Sequence, residues 1–152
     1  MWRRLRRVLL WIISINVACW TIGQILARRI STGEEGSDEF RIAAICGGRK
    51  FQSRAHRLRT GSVIASMGGV DLDLSGATLD PDGASIDVNA TMGGVQITVP
   101  TLWAVDLERH VVAGGVDAKV AARDALPVDA PTLRLRAVVR MGGVSVTTGT
   151  NQ

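Results

Sequence analysis

The side chains able to do chemistry are sparse in this 152-residue chain, and they do not converge in sequence. His56 and His110 stand alone, without a neighbouring cysteine or patterned carboxylates, so neither an acid–base pair nor a zinc site is spelled out around them. Both read as surface or capping histidines. Asp71 and Asp73, with Asp87 and Asp117, fall on outward positions, where a carboxylate row could hold calcium. Lacking the glycine–aspartate repeat of calcium-binding β-rolls, the row reads as a solvated face. Cys46 reads as a small core residue, Cys19 lies in an apolar run, and no disulfide is implied. No zinc spacing, phosphate loop or dinucleotide fingerprint is present. Beyond residue 20 only Phe40, Phe51 and Trp103 are aromatic, which argues against a sugar-stacking cleft. The residues therefore predict no catalytic set, no cofactor and no metal.

The chain is organised by five glycine doublets: Gly47-Gly48, Gly68-Gly69, Gly93-Gly94, Gly114-Gly115 and Gly142-Gly143. They are spaced by about 21, 25, 21 and 28 residues, the interval at which internal repeats signal stacked architectures. Three of them read Met-Gly-Gly-Val. Around each, apolar residues alternate with polar ones, as in Ile86, Val88, Ala90 and Met92 before the third doublet and Val95, Ile97 and Val99 after it. Period-two patterning predicts strands with one buried face. The step of three from Met92 to Val95 shifts that alternation by one. The pattern thus predicts bends at the glycines with Met and Val both facing inward, and glycine suits a bend through its access to positive φ.

Two all-β folds fit. In one, Gly-Gly is the corner of a β-solenoid in which each turn stacks on the last and like residues form ladders. In the other, Gly-Gly is a hairpin loop, giving an antiparallel sandwich or meander. Near-identical corners favour the solenoid, because stacking rewards like residues at like positions.

An appendage precedes the β-domain. Arg3, Arg4, Arg6 and Arg7 lead into an uncharged run over 8–27, followed by Arg28 and Arg29. Twenty such residues make a helix of roughly 30 Å, one hydrocarbon thickness, so the run predicts a single transmembrane helix. The six arginines and two glutamates of residues 1–37 account for the whole net charge of +4. The basic character therefore marks a membrane flank and not a nucleic-acid surface. Its asymmetry favours a cytoplasmic N-terminus with the β-domain outside. Within the run, Asn16, Gly23 and Gln24 share a helical face suited to contact with another helix, a second copy or another membrane protein.

The expected organisation is a basic flank over 1–7, the transmembrane helix over 8–27, a polar flexible linker over 28–39, and the β-domain over 40–150. Arg49, Lys50, Arg54, Arg57 and Arg59 form a basic cluster that either meets anionic headgroups or is a solvated cap. Asp80-Pro81-Asp82-Gly83 is a turn signal, Trp103 is expected to pack over a face of the fold, and Pro127 and Pro131 mark an irregular stretch.

The run Met67-Gly68-Gly69-Val70-Asp71-Leu72-Asp73-Leu74, then Met92-Gly93-Gly94-Val95-Gln96-Ile97-Thr98-Val99-Pro100 and the closing Met141-Gly142-Gly143-Val144, resembles the C-terminal domain of LiaF-type proteins, over roughly residues 40–148. These are bacterial membrane proteins of the cell-wall-active-antibiotic response. The resemblance implies a non-enzymatic β-rich domain that restrains an envelope-stress sensor kinase. Such proteins usually carry several membrane helices where this chain shows one span. The expected function is a membrane-anchored modulator or sensor of envelope stress acting through protein contacts. The alternative is a structural or adhesin-like envelope protein that binds wall polymers.

Overall fold

A computed structural model describes residues 2–149, apart from the side chains of residues 2–9, 16, 19, 27, 28 and 30. Helix α1 (Trp2–Ile30) precedes six strands: β1 (Glu39–Gln52), β2 (Thr60–Asp73), β3 (Ala84–Pro100), β4 (Ala104–Val111), β5 (Gly114–Lys119) and β6 (Thr132–Gly149). They build one sheet in the order β1-β2-β3-β6-β4, with β5 also on β6. Every named strand pair is parallel, so the antiparallel sandwich or meander is not what forms.

The doublets do align across the sheet. Gly47 pairs with Gly68, Gly69 with Gly94, Gly93 and Gly94 with Gly142 and Gly143, and these last with Gly114 and Gly115. On either side of that row the inward aliphatics form ladders in one core cluster, such as Val63, Val88 and Ala137, or Val70, Val95 and Val144. Side chains from the connections close the core: Ala55, Leu58, Ala77, Leu79 and the expected cover, Trp103.

Strict next-on-last stacking fails at the fourth turn. β6 is inserted between β3 and β4, and the reason lies in the inner row. The inward positions of β6, Leu133, Leu135, Ala137 and Val139, are all apolar and at most 1% exposed. The matching positions of β4 are Val105, Leu107, Arg109 and Val111. An arginine in an inward row is tolerated only where one side is open to water, so the strand carrying Arg109 goes to the edge.

Two further expectations are corrected. Met67, Met92 and Met141 do not face the core; they are 52%, 50% and 52% exposed. Cys46, Met67 and Met92 themselves take the left-handed conformation, with φ of 54°, 52° and 53°. That left-handed residue makes the phase step in β1–β3, at a cost of about 1–2 kcal/mol each, and it turns the side chain outward. The polar segment before β1 is not a free linker either. Thr32 exchanges backbone hydrogen bonds with Arg41, and Arg59 N–H donates to Asp38 O, because β1 otherwise presents unpaired main-chain groups along a buried sheet.

Candidate functional site

The two glycines of each doublet do different jobs. At the first glycine of the last four doublets, a Cβ would lie closer than 3.0 Å to the carbonyl oxygen of the glycine on the adjoining strand: Gly68 against Gly47, Gly93 against Gly68, Gly142 against Gly93, and Gly114 against Gly142; at Gly47 it would meet only Gln24 Nε2 at 3.6 Å. The strands can close at the bend only without side chains there. At the second glycine that constraint is absent. A Cβ on Gly69, Gly94 or Gly143 would meet only a carbonyl at 3.9, 3.8 or 3.7 Å, and on Gly48 or Gly115 nothing within 4 Å. None of these second glycines has a left-handed φ.

What the second row does is leave a surface bare. Gly48, Gly69, Gly94, Gly143 and Gly115 lie side by side as the floor of an open groove of about 980 Å³. With strands about 4.8 Å apart, five of them give a strip about 19 Å long, crossing the strands. Two residues further along each strand runs a polar row on the same face: Lys50, Asp71, Gln96, Ser145 and Asp117, each the register partner of the next. Lys50 Nζ lies 3.7 Å from Asp71 Oδ2, and Lys119 Nζ lies 3.8 Å from Asp117 Oδ2. Both pairs are well exposed and worth little individually. Together they give the wall beside the glycines a pattern of opposite charges. The doublets named from the sequence as structural corners thus include this floor. The signal was in the sequence: a second glycine recurs five times although the bend needs only one.

The other candidate residues do not converge. His56 and His110 are exposed on separate segments. Asp73 accepts from Ser75 N–H at 2.9 Å, and among the described residues no group of three His, Cys, Asp or Glu side chains is placed to hold a metal ion. Cys46 is half-buried at the corner of β1.

The basic cluster divides. Arg49 Nη1 donates to Ser31 Oγ at 2.9 Å, whereas Arg57 and Arg59 converge on the carboxylate of Asp80, at 2.9 and 3.3 Å. That carboxylate is 2% exposed and also accepts from Asp82 N–H at 3.1 Å, within the turn whose Gly83 has φ of 87°. The Asp82 amide first, and the two guanidiniums after it, hold Asp80 below its ordinary 3.8 against the opposing effect of burial. A lowered folded-state pKa means stability that is present above 3.8 and lost as pH falls through the folded value. Asp80→Asn should therefore flatten the acid limb of the Tm–pH curve below about pH 4. An acid limb identical in the variant would remove Asp80 from that role.

Helix α1 meets the domain through Gly23 and Gln24. A Cβ on Gly23 would lie 2.7 Å from Ile45 O, and Gln24 lines a small pocket with Ala43, Ile45 and Gly47. These two residues, expected to face another helix, are placed against β1; the side chain of Asn16 lies outside those described. The described large apolar side chains between Leu10 and Leu26 are 46–71% exposed. Among the described residues no helix is long and apolar enough to cross a membrane. The span expected over 8–27 includes Val8, Leu9, Asn16, Cys19 and Ala27, whose side chains lie outside the described set.

A single parallel sheet with its glycine doublets aligned in a row and a groove along the second glycines defines a repeat-built β-domain. Residues 45–128 match the family model described as the cell wall-active antibiotics response LiaF C-terminal domain. The chain belongs to that LiaF-like family, which ties it to the cell-wall antibiotic stress response. No curated protein and no solved structure matches it.

Proposed function

We propose that this chain is a membrane-anchored, non-catalytic modulator or sensor of the envelope-stress response, and that it acts by seating a segment of a partner protein in the glycine-floored groove. The observation that carries the reading is the row of second glycines, a bare strip about 19 Å long that neither sterics nor backbone conformation requires. A floor without side chains lets a partner approach the main chain closely, and the polar row beside it gives that approach a charge pattern. A membrane sensor kinase is the partner the family relationship suggests.

Anchoring is supported by the exposed aliphatic and tryptophan side chains of α1 and by the arginines that bracket the run over 8–27. On that reading the N-terminus is cytoplasmic and the β-domain lies outside. Binding of wall polymers is the less supported alternative, since among the described residues no aromatic side chain lines the groove and Trp103 is 5% exposed in the core.

The test is Gly94→Leu in the full chain, in cells carrying a reporter of wall stress. Because a Cβ at Gly94 has van der Waals room, the variant should fold, stay in the membrane fraction, and lose most of the wild-type effect on the reporter after a wall-active antibiotic. A folded, membrane-bound variant with an unchanged reporter response would sink the groove assignment. Protease added to spheroplasts should cut the β-domain, and protection there would reverse the orientation.

A further inference from the structure

The sheet ends differently on its two sides. At β1 the edge is occupied by the chain itself: Thr32 bonds Arg41, Ser31 Oγ accepts from Ala43 N–H, and Gly23 of α1 lies against Ile45 O. On the other side β4 and β5 pair with β6 alone. Val112 N–H donates to Val139 O, and Gly142 N–H donates to Ala113 O. Strand alternation then turns the main-chain groups of Leu107, Arg109 and Val111 before the bend, and of Val116 and Ala118 after it, toward the open side. The apolar row also runs out there, with Val111 39% and Val112 73% exposed and Leu107 and Val116 only partly buried. Among the described residues no further strand pairs with this edge, and an edge of this length is a template for another strand.

We propose that this edge is closed by the same edge of a second copy of the chain, antiparallel about a two-fold axis through Ala113–Gly114. Setting bend on bend fixes the register. On the core side Val111 meets Val116 of the second copy and Leu107 meets its Val120, which prolongs each core into the other. On the outer side Glu108 meets Lys119 and His110 meets Asp117, so both polar pairs are complementary. A slip of two residues one way puts Glu108 opposite Asp117, and a slip the other way puts His110 opposite Lys119; only the bend-on-bend register avoids such a pair. Arg109 falls opposite Ala118, a small exposed residue, past which the guanidinium can reach water. Because the β1 edge is occupied from Arg41 to Ile45, the contact is isologous and closes as a dimer instead of growing into a filament.

The experiment uses the full chain in detergent, with mass measured by sedimentation. The wild type is expected to be a dimer. Glu108→Lys should weaken dimerisation at least about tenfold, and adding Lys119→Glu should restore it. With Cys19 and Cys46 replaced by serine, a His110→Cys/Asp117→Cys variant should cross-link between copies on oxidation, whereas Glu108→Cys/Asp117→Cys should not. A monomeric wild type, a dimer indifferent to the charge swap (one held by α1, for instance), or cross-linking only in the slipped register would each overturn the proposal.

Discussion

Gly93→Ala is expected to lower the stability of the β-domain by about 3–5 kcal/mol, while Gly94→Ala, one residue further on, changes it by less than about 1 kcal/mol. The contrast follows from where each Cβ would go. At Gly93 it would press on the carbonyl carbon, oxygen and nitrogen of Gly68, main-chain atoms in the middle of a parallel ladder that cannot move without separating β2 from β3. At Gly94 it would sit 3.8 Å from Gly143 O, an ordinary contact. Neither residue has a left-handed φ, so conformational strain does not confuse the comparison. Gly94→Ala should even gain a few tenths of a kcal/mol by restricting the unfolded chain. Thermal unfolding followed by circular dichroism should show Tm falling by about 10–20 °C for Gly93→Ala. Equal losses in the two variants would mean that the doublets serve the bend alone and that the bare groove floor is incidental.

In the monomeric chain, Leu135→Ala should cost about 2–5 kcal/mol, and Leu107→Ala should cost well under half of that. Both residues are aliphatic and stand opposite one another in the register of β4 and β6. Leu135 is 1% exposed between Ile86 and Leu107, whereas Leu107 is only partly buried on the strand at the edge. Truncating the enclosed side chain leaves a cavity that its neighbours cannot fill. Truncating the edge side chain lets water in at little cost. The comparison reads strand order directly. Were the turns stacked in chain order, β4 would lie inside and Leu107 would be the costly position. Urea unfolding of the two variants decides between the arrangements, and the larger loss at Leu107 would contradict the insertion of β6.

Much of the architecture was legible because its causes are local or periodic. Alternation at Ile86, Val88 and Ala90 defines a buried face wherever the strand sits, and the doublets mark where that alternation changes phase. The Asp80–Gly83 turn was readable from its own residues. The orientation of the methionines was not, since at Met67 and Met92 the backbone conformation, and not the count of positions, decides which way a side chain points. The groove was half legible. The doublets were plain, but dividing them into a packing row and a surface row required knowing which carbonyl faces which Cβ. The tethering of the segment before β1 was likewise hidden, because Thr32 and Arg41 meet only once β1 needs a cover.

The sequence by itself determined that this is a β-repeat domain of the LiaF-like family behind an arginine-bracketed apolar helix, and that its chemistry-bearing side chains do not gather in sequence. Repeats, period-two patterning and runs of apolar residues are properties of the chain alone. Only the tertiary structure decided that the strands are parallel, that β6 separates β3 from β4, and that β4 and β5 form one edge of the sheet among the described residues. Those outcomes depend on which inner row can afford an arginine, a comparison between strands far apart in the chain that no local pattern contains.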